Sequence, residues 1–287
     1  MRLAVGFVPH LATTASTDVC IVVDVLRATT TLTCLVEHGA QTVAIAADTG
    51  AARAAKRRDP TLLLVGEEEG LRPAGFDLGN SPLEIRPGLV AGRRAVCRTS
   101  NGTAALRAVA DAPVVLLGSL RNAGAVARAA VAAADTLEAG ITVVCSGIGG
   151  GRDFALDDAL VAGHLTSRLA DEWCRRRGAP PTLHDTARAA RAIYEREVAD
   201  HGSASIGVSA RWARALRATA SGRHLELIGL GADIDYASCA DATTTVAEAR
   251  AIGEELLVVP HGAPAADPAY ASMGATTFLD GEEAAGE

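Results

Sequence analysis

What most constrains the fold is a series of short, unbroken apolar runs. RLAVGFV (2–8), VCIVVDV (19–25), TVAIA (42–46), LLLVGE (62–67), RAVCRTS (94–100), VVLLGS (114–119), TVVCSG (142–147) and ELLVVP (255–260) hold consecutive apolar residues rather than alternating apolar and polar ones. A strand wetted on one face alternates, so such runs mark strands covered on both faces. Between them lie helix-forming, Ala-rich stretches such as DTGAARAAKRRD (48–59) and GTAALRAVAD (102–111). The pattern predicts an α/β fold with helices on both sides of a mixed, largely parallel sheet. Residues 154–219 read as three long helical segments with Arg/Glu faces and no convincing strand. The chain is therefore divided into a strand-rich part, 1–150, carrying most site loops, and a helix-rich part, 151–287. The second completes the same fold and returns a strand or two to the sheet. The acidic end, FLDGEEAAGE (278–287), is expected to fray.

Composition excludes several function classes. Aromatic residues make up 3% of the chain and the net charge is -7. There is little to stack on bases and no Lys/Arg surplus to neutralise a phosphate backbone, so no nucleic-acid partner is expected. The 6 cysteines are far apart with no CxxC pair, which points to buried thiols in a reducing, cytoplasmic setting. The opening MRLAVGFVPHLA is broken by Pro9 and does not read as a signal peptide. No run approaches the roughly 18 apolar residues of a membrane span.

Polar residues gather where the apolar runs stop. DVLRATTT (24–31), GEEEGLRPAGFDLGNSP (66–82), CRTSNGT (97–103), CSGIGGGRDF (145–154) and DIDYASCAD (233–241) all break into loops rich in Gly, Ser, Asn, Asp and Arg. In open α/β sheets, ligands bind beyond the carboxyl ends of strands, so such loops can converge on one site. Arg27 and Arg98 can fork onto phosphate or sulfonate oxygens. The hydroxyls of Thr29, Ser100 and Thr103, with backbone amides at a helix start, would complete an anion cradle. Asp24, Glu67, Asp157, Asp158 and Asp235 are hard oxygen donors of the kind Mg²⁺ accepts one or two at a time. Each residue also has an ordinary reading: Asp24 as a helix cap, GNSP (79–82) as a turn, Asp157 and Asp158 as first-turn acids favoured by the helix dipole. The coincidence of several such loops is what points to a site.

Better-known phosphate chemistries fail on spacing. An Asp-x-Asp pair is absent because residue 26 is leucine. Cys20 to Arg27 and Cys145 to Arg152 each enclose six residues where a Cys-phosphatase loop needs five. No GxGxxG, GxxxxGK[ST] or GxSxG motif occurs. The 7 histidines lack the i, i+4 pairing of a zinc helix and receive no catalytic role.

DVLRATTT, GE followed by GFDLGNSP, RTSNGT, CSG and FALDDALVAG (154–163), in this order, resemble the 2-phosphosulfolactate phosphatase family, and ADIDYASCAD extends the likeness more loosely to about residue 245. The resemblance implies a three-layer α/β/α fold, a homodimer, and a Mg²⁺-dependent hydrolysis that converts 2-phosphosulfolactate to sulfolactate and phosphate, a step linked to coenzyme M biosynthesis. Where the family pattern has Glu-Asp, this chain has Asp157-Asp158, a shorter reach at 157. The working assignment places the metal on Asp24, Glu67 and Asp158. Arg27, Arg98 and the loop Thr99, Ser100, Asn101, Gly102 and Thr103 grip the phosphoryl group with Thr29. Asn80, Ser81, Ser146 and Gly147 line the other end of a small anionic substrate. Attack by metal-activated water is favoured over a covalent Asp24, since no acid stands at position 26. A non-catalytic anion-binding module, and an isomerase or lyase of a phosphorylated hydroxy acid, are the rival readings.

Overall fold

Each apolar run becomes a strand. The computed structural model describes residues 1–199 and 207–264; His201 and the acidic end, 278–287, lie outside them. In chain order the elements are β1 (Arg2–Gly6), β2 (Val19–Val23), α1 (Ala28–Glu37), β3 (Thr42–Ile45), α2 (Thr49–Arg58), β4 (Leu63–Gly66), α3 (Pro87–Val90), β5 (Arg94–Arg98), α4 (Gly102–Ala108), β6 (Val114–Gly118), α5 (Ala123–Leu137), β7 (Ile141–Cys145), α6 (Leu156–Arg177), β8 (Thr182–Leu183), α7 (Asp185–Tyr194), α8 (Val208–Arg217), α9 (Ala220–Leu227), α10 (Ala232–Ala237), β9 (Ala247–Ile252) and β10 (Glu255–Pro260). Two strands escaped the sequence pattern. β8 is two residues long and lies inside the stretch read as purely helical. β9, AEARAI, alternates small and charged residues and lacks the β-branched runs of the others.

All strands join one 10-stranded sheet in the order β4-β5-β3-β10-β9-β6-β2-β7-β1-β8. The β9–β10 hairpin pairs antiparallel with β3 on one side and β6 on the other. It sews together two parallel sets: β4, β5 and β3, and β6, β2, β7, β1 and β8. The C-terminal part of the chain thus supplies the middle of the sheet.

Across the hairpin the two parallel sets run in opposite senses. In a flat sheet their carboxyl ends would lie at opposite margins, and β5 would stand roughly 24 Å from β2 across five inter-strand steps. Twist changes this, because roughly 20–25° per step accumulates to roughly 100–125° over the same distance. One apolar core records the result. It draws side chains from β2, β3, β4, β5, β6, β7, β9 and β10 around α1 and α4, including Val22, Val65, Cys97, Leu117, Val258, Leu35 and Leu106. The sheet therefore wraps around α1 and α4. Its outer face is covered by α5, α6 and α7 along β1, β2, β6 and β7, and by α2 along β3, β4, β5 and β10.

The two sets meet at the turn into α4. A Cβ on Gly102 would lie 2.5 Å from Ala28 Cβ and 3.1 Å from Asp24 Oδ2, so glycine is what allows the end of β5 to close on the end of β2. Gly102→Ala is expected to destabilise the protein by about 1–3 kcal/mol, the usual penalty for overpacking a closed contact. Urea unfolding checks this, and an unchanged midpoint would contradict the close approach.

Candidate active site

The carboxyl ends of β2, β4, β5 and β7 converge on a cavity of about 350 Å³. Its wall takes Asp24, Leu26 and Arg27 after β2, and Glu67, Glu69 and Gly70 after β4. Thr99, Ser100 and Asn101 come after β5, Ile148, Gly149 and Gly150 after β7, and Asn80 from the long loop that follows β4. A face of α9 closes it with Ala220, Ser221, His224 and Leu225.

Asp24 is buried at the start of α1, where its Oδ1 accepts the Ala28 N–H at 3.0 Å. Its cap role and its place in the cavity wall coexist. The three threonines that follow act as ties. Thr29 Oγ1 donates to the Gly118 carbonyl at the end of β6 (2.7 Å), Thr30 Oγ1 to Val25 (2.9 Å) and Thr31 Oγ1 to Asn80 (2.9 Å). The hydroxyl string thus fastens three loops together, and Thr29 does not line the cavity.

Glu67 is held by backbone. Its Oε1 accepts the Ser100 N–H at 2.6 Å and its Oε2 the Gly70 N–H at 2.8 Å. Arg98 donates from Nη1 to the Glu67 carbonyl (2.7 Å) and to Ser100 Oγ (3.2 Å), bracing this junction while standing off the cavity wall. Thr99 and Thr103 exchange bonds, each side-chain oxygen accepting the other's N–H at 3.1 and 3.2 Å. The amides of Ser100 and Thr103, expected to cradle an anion, are therefore committed to Glu67 and Thr99. Gly102 and Thr103 lie behind the wall. Asn101 lines it, with Oδ1 accepting the Gly150 N–H at 3.0 Å and so joining the β5 and β7 loops.

Arg27 is buried and already paired: Nη1 donates to Asp233 Oδ2 at 2.7 Å and Nη2 to the Gly70 carbonyl at 2.6 Å. Ser81 donates to the other Asp233 oxygen at 2.5 Å and does not reach the cavity. Asp233 is thus the important acid of DIDYASCAD. Asp235 sits two residues on, on another face of α10, and pairs with Arg217 at the surface. Asp158 is also committed. It accepts the Val25 N–H (3.1 Å), the Ser146 hydroxyl (2.9 Å) and the Gly147 N–H (3.1 Å), clamping the ends of β2 and β7 from beneath the cavity. Its neighbour Asp157 accepts from Ser221 Oγ at 3.0 Å, linking α6 to the wall. Asn80 lines the cavity with a buried Oδ1 that has no hydrogen-bond partner.

Comparison with known proteins adds to this geometry. The family model described as 2-phosphosulpholactate phosphatase matches residues 7–251, a span that includes every cavity-lining residue. The chain belongs to this family. A Deinococcus radiodurans protein named probable 2-phosphosulfolactate phosphatase is 41% identical over 83% of this chain and 89% of its own. One of the same name from Gloeobacter violaceus is 34% identical over 88% and 97%. A third, from Thermus thermophilus, is 45% identical over 59% and 68%.

In this member of the 2-phosphosulpholactate phosphatase family the cavity floor is acidic. Burial, then repulsion from Glu67, push Asp24 up to about 6, against the pull of the Ala28 N–H. Burial and nearby Asp24 likewise push Asp157 up to about 6. Burial, then Asp157 and Asp24, raise Asp158 well above the carboxylate range. The Cys145 thiol is raised by burial, which disarms it as a nucleophile. Among the described residues, three potential ligand atoms within 4.8 Å of one another occur only at Cys34, Glu37 and His38, neighbours on one turn of α1. Asp24, Glu67 and Asp158 do not form such a group. Asp24 and Glu67 share the cavity wall, and this donor set fits a hard cation that takes one or two carboxylates and completes its shell with water and substrate oxygens.

Sequence reasoning missed Ser221 and His224, because α9 lies after 207 in a stretch with no strand end to mark it. It weighed Asp235 where Asp233 holds Arg27, and only helical phase separates the two. An acid whose pKa rises on folding holds its proton more tightly when folded, so the metal-free protein loses stability as pH climbs from near 4 through about 6. Asp24→Asn removes that loss. In EDTA it should gain on the order of 2 kcal/mol relative to wild type between pH 4 and pH 7.5. Parallel unfolding profiles for the two proteins would contradict the burial of a strained carboxylate.

Proposed function

We propose that this protein is a Mg²⁺-dependent phosphatase that hydrolyses a small phosphorylated hydroxy acid, 2-phosphosulfolactate, to sulfolactate and phosphate. The observation that carries the reading is the presence of two buried carboxylates, Asp24 and Glu67, from distant strand ends in one cavity of a chain of this family. Asp24 and Glu67 would hold the metal, and Asp158 would act behind them by fixing the loops after β2 and β7. Bound there, Mg²⁺ would offset the charge that grows on the phosphoryl oxygens and lower the pKa of water.

The chain's own groups then have distinct tasks. The Ala28 N–H orients Asp24, and the Ser100 and Gly70 amides orient Glu67, so neither acid has to reorganise when substrate arrives. Of the wall residues, the side chains of Ser100 and Asn101 and the backbone of Gly149 would meet the phosphoryl end, since the Ser100 and Gly150 amides are held by Glu67 and Asn101. Arg27, neutralised by Asp233, keeps the Gly70 turn in place rather than gripping phosphate itself. Attack by water is favoured over a covalent Asp24, because Leu26 lines the cavity where a second acid would be needed. The reading also includes a homodimer in the cytoplasm. Support for the compartment comes from the cysteines, all free of disulfides and four of them buried.

Phosphate release from 2-phosphosulfolactate should require Mg²⁺ and stop in EDTA. Asp24→Asn and Glu67→Gln should each lower kcat/KM by about 10³-fold or more while remaining folded. Acid quenching during turnover should trap no phosphoryl group on Asp24, and a phosphorylated Asp24 would show the covalent route instead. A product that keeps its phosphate would overturn the proposal in favour of an isomerase or lyase.

A further inference from the structure

The 2-phosphosulfolactate reading, on which this inference rests, requires a cavity that accepts acidic groups in addition to the phosphate. Cationic material is scarce there. Among the described residues lining the cavity, only Arg27 and His224 can carry positive charge. Arg27 donates to Asp233 and to the Gly70 carbonyl, and Asp233 cancels its charge. Arg98 does not line the wall. The other charged groups on the wall, Asp24, Glu67 and Glu69, are of the wrong sign.

His224 sits on a built surface. Ser221, His224 and Leu225 follow the i, i+3, i+4 spacing of one helical face, so α9 presents a strip of side chains to the cavity. Ser221 ties that strip to Asp157 at 3.0 Å, and the Thr219 hydroxyl caps the helix by accepting the Gly222 N–H at 3.1 Å. The His224 ring rests on the turn after β4, with Nε2 3.2 Å from the Glu69 carbonyl. Gly70 has φ +84°, and a Cβ there would lie 3.0 Å from His224 Nε2 and 2.8 Å from Ile228 Cδ1. The turn that orients Glu67 and receives Arg27 is thus also shaped to seat this ring. With Nε2–H donated to a carbonyl, Nδ1 has no partner among the described residues, and a proton there supplies both a charge and a free donor.

We propose that His224 binds the acid group of the substrate remote from the phosphate, sulfonate or carboxylate, and so selects phosphorylated acids over simple phosphate esters. Ser221, whose hydroxyl is donated to Asp157, fixes the helix beside it rather than donating to the acid group. His224 is a binding and specificity residue, separate from the carboxylates proposed to hold the metal.

The test compares wild type, His224→Gln and Leu227→Ala, the last an exposed residue of the same helix, 83% accessible and off the cavity. Steady-state kinetics use 2-phosphosulfolactate, 2-phospholactate and p-nitrophenyl phosphate, and calorimetry reads the Kd of sulfolactate without turnover. His224→Gln should raise the KM for 2-phosphosulfolactate and the Kd of sulfolactate by about tenfold to a hundredfold, as expected for a lost hydrogen bond to a charged group. Its kcat should stay within about threefold, and p-nitrophenyl phosphate kinetics should not change. Leu227→Ala should match wild type. A penalty that persists with 2-phospholactate assigns the carboxylate as the contact; one that disappears assigns the sulfonate. Equal losses on all three esters, or an unchanged sulfolactate Kd, would overturn the proposal. Failure of wild type to release phosphate from any ester would remove the phosphatase reading, and the ratio of sulfolactate Kd values would still decide the role of His224. Absence of sulfolactate binding to wild type would overturn both.

Discussion

Everything at the site depends on two parts of one sheet meeting where strand pairing alone would keep them apart. The β9–β10 hairpin reverses strand direction in the middle of the sheet, and the accumulated twist brings the ends of β4 and β5 against the ends of β2 and β7. Gly102 against Ala28 and Asp24 is the point of contact. Hydrogen bonds then lock the meeting in place: Thr31 to the Asn80 carbonyl and Gly150 N–H to Asn101, while Ser100 N–H to Glu67 ties the ends of β5 and β4 within one part. The residues with chemical potential are therefore held by neighbours from other strands, which is the preorganisation that electrostatic catalysis needs.

The charge arrangement follows from the same convergence. Asp24, Glu67, Asp157 and Asp158 are all buried and Asp24 repels each of the other three, while Arg27, the one buried arginine among the described residues, is paired to a further acid, Asp233. Burying an ion pair is weak evidence for stability, since the desolvation of both partners offsets much of their attraction. Its more definite effect here is positional, because Arg27 also holds the Gly70 carbonyl and thereby the turn beneath Glu67. The surplus of buried negative charge disfavours the empty cavity and favours a cation in it.

Much of this was legible in the sequence, and the part that was not has identifiable causes. Unbroken apolar runs marked β1 to β7 and β10 because burial on both faces leaves no room for polar alternation. β9 was missed because AEARAI carries small and charged residues, and its place in the sheet is set by pairing with β10 and β6 rather than by its own preferences. Convergence was anticipated for the loops 24–31, 66–82, 97–103, 145–154 and 233–241; the first four line the cavity, and the fifth acts on it only through Asp233, which holds Arg27. The individual roles were less visible. Composition could not distinguish a threonine that lines a cavity from one that ties a carbonyl, an arginine free for substrate from one held by Asp233, or Asp233 from Asp235. Those distinctions are made by side-chain partners more than 40 residues away in the chain, such as Arg27 with Gly70 and Asp233. His224 carried no local motif at all, and it reaches the cavity only because α9 packs on the turn after β4.

The central claim is that this cavity gathers carboxylates from separate strand ends to hold a divalent cation. Anomalous diffraction from crystals soaked in Mn²⁺, a scatterer with the oxygen-ligand preference of Mg²⁺, measures it most directly. The account expects a peak about 2.1 Å from oxygens of Asp24 and Glu67, with remaining ligands from water or phosphate. A peak at Cys34, Glu37 and His38 instead, or no peak within reach of Asp24, would contradict it.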